Sequence, residues 1–309
     1  MTAARPTLLQ LNPFADFLEA GLDERFSVVR WFEIPEARRP AWLEAHGAEV
    51  QAIASGAHMG CPNALMESLP ALKIISINGV GLDKVDVSFA RARGVEVATT
   101  VGGPTIDTAD LAVGLIIALL REIPAADRHV RSGQWPQSER PLARKVSGRR
   151  FGIVGLGQIG RAVAERLAAF GPVAYTGPSR KDAPYKYTPE LSTLARDSDV
   201  IVITCPANAD TRHMIDAAVL DALGPDGWLV NVARGPIVDE AALIAALKAG
   251  RIAGAGLDVF EDEPNVPEAL REHPRTVLVP HMGSATVESR RRMAEMVLEN
   301  LDAVFAPES

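Results

Sequence analysis

Two cysteines, Cys61 and Cys205, are all that the 309 residues contain. Thiols so few and so far apart exclude a disulfide-stapled fold and fit a reducing compartment, so the expected location is cytoplasmic. A long hydrophobic run is lacking as well. The longest, Leu111 to Leu120, is about half of what a membrane span needs and is bounded by Asp110 and Arg121. One early arginine followed by Pro6-Thr7-Leu8-Leu9-Gln10 is too short and too polar for a signal peptide. Positive charge is in deficit, with a formal net charge of −7. An acidic surface repels phosphate backbones and anionic lipids, so neither nucleic acid nor a membrane is an expected partner. Internal repeats and low-complexity tracts are absent too.

What is present is an ordinary globular mixture, 47% apolar and 23% charged, long enough for about two domains. In the first hundred residues short apolar segments at Thr7–Leu11, Ser27–Trp31, Val50–Ala54, Lys73–Ile77 and Val95–Ala98 read as strands. Helical patterns near Phe14–Ala20, Glu36–His46, Asn63–Ser68 and Val87–Arg93 lie between them. Gly102-Gly103-Pro104 then breaks the pattern like a linker. An apolar helix is expected over about Thr105–Arg121, followed by a polar, irregular stretch from Ser132 to Lys145. A second series of strands begins at Arg150, with strands at 150–155, 172–176, 199–204, 227–231, 252–257 and 276–279. A last amphipathic helix runs over about Ala285–Val304. Alternation of this kind predicts an α/β fold class, two doubly wound parallel-sheet domains with a cleft between them.

The segment Gly155-Leu156-Gly157-Gln158-Ile159-Gly160 stands between a predicted strand and a helical pattern from Arg161 to Phe170. In such a turn the first glycine permits the tight bend and the second lets backbone approach a pyrophosphate. The third allows helix and strand to pack closely, and the helix N-terminus offers free N–H groups to phosphate. The spacing therefore predicts a dinucleotide site. An NAD site usually has a carboxylate at the end of the next strand, on the ribose hydroxyls. Here that strand runs into Gly177-Pro178-Ser179-Arg180-Lys181, and no carboxylate occurs until Asp182. A serine and two cations suit a ribose 2′-phosphate, so NADPH is the preferred cofactor and NADH the weaker one.

Three further segments follow predicted strands: Asn231-Val232-Ala233-Arg234-Gly235, Leu257-Asp258-Val259-Phe260-Glu261-Asp262-Glu263-Pro264 and Pro280-His281-Met282-Gly283-Ser284. Open parallel sheets bind ligands beyond the carboxyl ends of their strands, so an arginine, a carboxylate and a histidine are expected to converge there. On pattern alone, Glu261, Asp262 and Glu263 all compete for the carboxylate role. His58 and Cys61 have metal-like spacing but lack a second ligand pair, and no metal is expected.

With these motifs, the early loop Asn78-Gly79-Val80-Gly81-Leu82-Asp83 and the turn VGLGQIG, nearly the whole chain resembles the D-isomer-specific 2-hydroxyacid dehydrogenase family. Its glyoxylate/hydroxypyruvate reductase branch is the most similar, with hydroxyphenylpyruvate reductases beside it. The resemblance implies a flavodoxin-like substrate domain from residues 1–100 and 285–309. It implies a Rossmann domain over 101–284, with a dimerisation arm at about 105–145 and hence a homodimer. It also implies reduction of small 2-keto acids, glyoxylate and hydroxypyruvate, to D-2-hydroxy acids.

Position by position, Arg234 then binds substrate, Glu263 (before the proline) pairs with the histidine, and His281 is the acid/base. Chemistry agrees with each role. Arginine can grip a keto acid's carboxylate, and histidine titrates near neutrality, where a glutamate beside it favours the loaded acid. The resemblance also assigns the amides of Val80 and Gly81, Ser284 and a partner-reaching Trp135 to substrate, and Met59 is a further candidate for the substrate pocket. It assigns Cys205, Pro206, Thr211, Val232, Ala233, Asp258 and Gly283 to cofactor, Asp258 holding the nicotinamide amide. Cys205 is not expected to be a nucleophile, and both Met59 and Trp135 could equally serve packing. Competing readings are an NAD-linked D-3-phosphoglycerate dehydrogenase, a hydroxyphenylpyruvate reductase and a dinucleotide-sensing corepressor. A formate dehydrogenase would carry glutamine where Glu263 stands.

Overall fold

The computed structural model describes residues 5–305. The chain divides into two compact units, Met1–Pro104 with Ser284–Ser309, and Thr105–Gly283.

The first unit is built on five strands, β1 (Thr7–Gln10), β2 (Ser27–Arg30), β3 (Val50–Gly56), β4 (Ile74–Asn78) and β5 (Glu96–Thr99). All pair in parallel, in the order β2-β1-β3-β4-β5. Their side chains alternate between two buried faces, as a covered parallel sheet requires. Leu8, Ala52 and Ile74 face one way and pack against α1 (Asp16–Arg25) and the helix Val287–Phe305. Leu9, Ile53 and Ile75 face the other way, with α2 (Arg39–His46), α3 (Asn63–Glu67) and α4 (Val87–Ala92). The expected helix from Glu36 is in fact a 3₁₀ turn over Glu36–Arg38 followed by α2. Pro40 explains the late start: it sits in the first turn of α2, where its missing N–H has no intrahelical partner to lose. Asp86 caps α4 by accepting the Phe89 N–H at 2.9 Å.

The second unit opens with two helices, α5 (Thr105–Leu120) and α6 (Ile123–Arg131), the latter not anticipated. Its sheet comprises β6 (Phe151–Val154), β7 (Val173–Thr176), β8 (Lys186–Tyr187), β9 (Val200–Ile203), β10 (Trp228–Asn231), β11 (Gly254–Leu257) and β12 (Thr276–Leu278). The order is β12-β11-β10-β9-β6-β7-β8, all parallel, so the direction of winding reverses between β6 and β9. Phe151, Ile153, Val200 and Val202 pack under α5 and α7 (Gln158–Leu167). Val154, Ile201 and Ile203 pack under α8 (Leu191–Arg196), α9 (Ala217–Leu223) and α10 (Glu240–Lys248). A short α11 (Glu268–Arg271) precedes β12, and the helix Val287–Phe305, here α12, returns to the first unit.

The stretch from Ser132 to Lys145 holds neither helix nor strand, as its composition suggests. It is nonetheless pinned. Buried His129 shares a 2.9 Å hydrogen bond between Nε2 and the Ser138 carbonyl, and Arg140 pairs with Glu122 at 2.6 Å.

Candidate active site

Reversal of winding at β6 and β9 splays the loops that follow them and leaves a crevice at their carboxyl ends. The loop after β6 is the glycine turn, and each of its glycines answers to a different neighbour. Gly155 has φ +95°, and a Cβ there would lie 2.7 Å from the Cα of Cys205, at the end of β9. A Cβ on Gly160 would lie 2.1 Å from the Gly155 carbonyl oxygen, so helix and turn touch through bare backbone. Gly157 is the exception, with open space where its side chain would be. Helix α7 begins at Gln158, inside the turn rather than at Arg161 as its periodicity suggested, so its first N–H groups belong to the turn. The loop after β9 closes the other side. Thr204 Oγ1 donates to the Gly155 carbonyl at 2.6 Å, and Thr211 Oγ1 donates to the Pro206 carbonyl at 2.9 Å. Cys205 is buried beneath, and burial pushes its thiol up to about 11, while that of Cys61 is pushed to about 12. Neither supplies a thiolate nucleophile.

At the end of β7, Ser179, Arg180 and Lys181 are exposed, and among the described residues neither cation has a carboxylate partner. Their loop is held from below. The fully buried Tyr175 hydroxyl accepts the Lys181 N–H at 2.6 Å and meets its carbonyl at 3.2 Å; Tyr187 donates to the Gly177 carbonyl at 3.0 Å. Arg161 donates to the Asp182 carbonyl at 2.9 Å, adding a third guanidinium or ammonium group to this end of the loop. Sequence reasoning missed these anchors. A tyrosine pointing inward from a strand needs a partner for its hydroxyl, and that was the available signal.

The arginine, carboxylate and histidine stand on the loops after β10, β11 and β12. Asn231 shapes the first loop: its Oδ1 accepts the Ala233 N–H and its Nδ2 donates to the Arg234 carbonyl, both at 3.0 Å. Val232 and Ala233 are buried, and the half-buried Arg234 side chain also donates to the Ala233 carbonyl at 2.7 Å. The next residue, Gly235, lies flat against the second loop, since a Cβ there would come within 1.9 Å of the Phe260 carbonyl. Backbone contact of this kind sets the spacing between Arg234 and Glu263.

Glu263 Oε1 accepts the Phe260 N–H at 3.0 Å, and its Oε2 lies 2.7 Å from His281 Nδ1. Burial acts to raise the Glu263 carboxyl, but the bond and charge of His281, the Phe260 amide and the charge of Arg234 outweigh it. The group is held below the ordinary glutamate value and stays ionised. An ionised Glu263 can only accept, so Nδ1 carries the proton it shares, and the imidazole is 40% exposed. The neighbouring Glu261 is occupied elsewhere, 2.7 Å from His213 Nε2 and 3.2 Å from Arg212. Of the three competing carboxylates, Glu263 is therefore the one that meets His281.

His281 has φ +48°, in the left-handed region that disfavours a side-chain-bearing residue. Its strain is held by Asp258, only 1% exposed, whose backbone carbonyl accepts the His281 N–H at 2.8 Å. The Asp258 carboxylate accepts the amides of Met282 at 2.6 Å and Gly283 at 3.0 Å. Burial is the largest influence on that carboxyl and pushes it above its ordinary value despite the two amides. Asp258 is thus first of all the clamp of the histidine turn, a role its family likeness did not suggest.

In the first unit, Val80 and Gly81 stand on the loop after β4, and Met59 follows β3, 47% exposed. Ser284 falls in that unit too. Trp135, in the irregular stretch of the second unit, is 67% exposed. Among the described residues no group of three or more His, Cys, Asp or Glu could hold a metal, and no helix is long and apolar enough to cross a membrane.

Residues 113–283 match the family model described as D-isomer specific 2-hydroxyacid dehydrogenase, NAD binding domain. The chain is 46% identical over 304 residues to glyoxylate/hydroxypyruvate reductase A of Arabidopsis thaliana, covering 98% of this chain and 96% of that protein. It is 45% identical over 301 residues to hydroxyphenylpyruvate reductase of Plectranthus scutellarioides, covering 97% and 96%. Among solved structures it is similar to an NADPH-dependent glyoxylate/hydroxypyruvate reductase of Sinorhizobium meliloti in complex with NADP and malonate. That match has a TM-score of 0.89, 40% identity, and coverage of 98% of this chain and 94% of the other.

Proposed function

The chain belongs to the D-isomer-specific 2-hydroxyacid dehydrogenase family, and we propose that within it the protein reduces 2-keto acids with NADPH, glyoxylate and hydroxypyruvate being the first substrates to test. The observation that carries this reading is the 2.7 Å Glu263–His281 pair, with Glu263 on the loop against which Gly235, next to Arg234, lies flat.

The residues present fit a phosphorylated dinucleotide. Open space at Gly157 leaves room for a pyrophosphate against backbone, and the α7 N-terminus supplies donors. Exposed Ser179, Arg180 and Lys181, with no carboxylate before Asp182, favour a 2′-phosphate over a bare ribose. Thr211, Pro206, Val232, Ala233 and Gly283 complete the proposed cofactor contacts. When bound, NADPH supplies a hydride to the keto carbon.

Arg234 holds the substrate carboxylate and orients the carbonyl by charge-assisted bonds. His281 gives its Nε2 proton to the keto oxygen as negative charge develops there, and is left neutral. Glu263 accepts the Nδ1 hydrogen bond throughout, so that proton stays on the ring, and its charge stabilises the imidazolium before the transfer. The product is the 2-hydroxy acid, with the carboxylate still ionised. The amides of Val80 and Gly81, together with Met59 and Ser284, are the proposed substrate contacts of the first unit.

We also propose a cytoplasmic homodimer. Ile106, Ile123, Val130, Trp135 and Leu142 are all exposed apolar residues within 105–145, and Leu142 is 97% exposed. An apolar set of this extent on one segment suits a second copy of the chain.

Initial rates with NADPH and NADH on a panel of 2-keto acids test the reading. NADPH is expected to give the higher kcat/KM, and His281→Gln to lower kcat by about 10²- to 10⁴-fold. Full turnover by His281→Gln would remove the histidine from its proposed role.

A further inference from the structure

Among the described residues, three other than glycine take a left-handed backbone, and two of them are histidines that face the same turn. His281, at φ +48°, meets Glu263. His213, at φ +52°, meets Glu261, with Nε2 lying 2.7 Å from Oε1. Strain of this kind persists where surrounding bonds overdetermine it, and it gathers at working sites. The backbone around His213 is tied down in that way. Its N–H donates to the Pro236 carbonyl at 2.8 Å, Ile215 donates to the Ile237 carbonyl at 3.1 Å, and Asp239 donates back to the Ile215 carbonyl at 3.0 Å. A short parallel bridge between Ile215 and Val238 thus joins the loop after β9 to the continuation of the Arg234 loop. The His213 side chain reaches onward to the loop after β11. One residue therefore links three loops: its own, which carries Thr211, that of Arg234 and that of Glu263.

Glu261 stands where carboxylates crowd. Its N–H donates to Glu240 Oε2 at 3.3 Å. Burial pushes the Glu240 carboxyl above its ordinary value despite that amide, and the charges of Glu261 and Asp262 push the same way. Arg212 also reaches Glu261 Oε1, at 3.2 Å, but its side chain is 58% exposed, and exposed pairs contribute little. His213 is the partner with a fixed backbone. Phe260, next to Glu261, gives its N–H to Glu263 Oε1 at 3.0 Å, so a turn released at Glu261 would carry the Glu263 carboxylate with it. We propose that His213 is a positioning residue for the proton donor, its bond to Glu261 fixing the turn on which Glu263 meets His281. The inference rests on the reductase reading above and deepens it, but the brace can be read without turnover. Glu263 puts the proton of a neutral His281 on Nδ1, whereas an imidazole in water favours Nε2.

The test reads that tautomer by nuclear magnetic resonance, in protein labelled with heavy nitrogen at histidine, at a pH where imidazole is neutral. His281→Gln assigns the signal. Wild type is expected in the Nδ1–H form. His213→Met, unbranched like histidine at Cβ but without a donor, should turn the signal mainly to the Nε2–H form. It should also lower kcat for glyoxylate about ten- to a hundredfold, with NADPH affinity staying within about threefold. His213→Gln, whose side-chain amide donates from a similar place, should restore both. Glu261→Met cuts the same bond from the other side, and stands in should the first variant fail to fold. Both Met substitutions together should lower kcat no further than either alone, because a single interaction is lost. A wild type already in the Nε2–H form, a tautomer or kcat unmoved by either variant, or effects that simply add, overturns the brace and leaves the reductase reading intact. If the wild type reduces no 2-keto acid with NADPH or NADH, the reductase reading falls instead, and the tautomer alone decides the brace.

Discussion

Gly157 and Gly160 sit three positions apart and serve different ends. A methyl group at 157 meets nothing, whereas one at 160 would be driven onto the Gly155 carbonyl oxygen. Gly157→Ala should therefore melt within about 1 °C of the wild type yet bind NADPH at least tenfold more weakly, as followed by nicotinamide fluorescence. Gly160→Ala should lose about 1–3 kcal/mol of stability, seen as an earlier melt without ligand. Equal melting temperatures for the two variants would contradict the division of roles. At this scale the sequence was most informative where chemistry depends on residue type. The glycine spacing, the missing acidic residue before Asp182 and the candidates Arg234 and His281 could all be read directly. The competition among Glu261, Asp262 and Glu263 could not be resolved by pattern, because only the fold brings His213 to Glu261 and His281 to Glu263. The clamp of Asp258 on the histidine turn was equally invisible. It depends on two backbone amides, which carry no residue signature.

Strand and helix positions follow apolar alternation closely in both sheets, since a strand covered on both faces has to be apolar along its length. What escaped was short or polar. β8 has two residues, too few to show a period, and α6 reads as a charged stretch, IPAADRHVR, with most of its surface in water. Element pairing also depends on charges that alternation does not register. Asp199, at the foot of β9, accepts the Arg150 N–H at 2.8 Å and its guanidinium at 2.9 Å, tying β9 to the start of β6. Burial acts to raise the Asp199 carboxyl, but the Arg150 bonds dominate and hold it below the ordinary 3.8. A depressed carboxyl stabilises the fold fully above its unfolded value, and that contribution disappears as pH falls through the folded one. Asp199→Asn should thus melt about 2–4 °C lower than wild type at pH 7, for a loss of about 1 kcal/mol. The gap should narrow as pH falls below the ordinary 3.8 and through the lower folded value. A gap independent of pH would mean that the ion pair is not its origin.

For the molecule as a whole, the proposed dimer makes a separate prediction. Val130→Glu with Leu142→Glu places charge on two exposed apolar positions, 54% and 97% accessible in the single chain. Light scattering behind size exclusion should show the variant's mass falling towards that of one chain at micromolar concentration, where the wild type stays at two. A wild type that is already monomeric would dispose of the arm as an interface. Helix α12 has a consequence of another kind. Its Ala294, Val297 and Leu301 cover Leu8, Ala52 and Ile74, and a Cβ on Gly21 of α1 would run into Leu298 at 2.6 Å. The unit that emerges first from the ribosome therefore cannot close one face of its sheet until residues beyond Val287 have been made. The other unit, continuous from Thr105 to Gly283, has its whole sequence in hand before then. Domains ordinarily mature in the order of their synthesis. That order is expected to invert here, leaving the early sheet as the surface a chaperone would meet during translation.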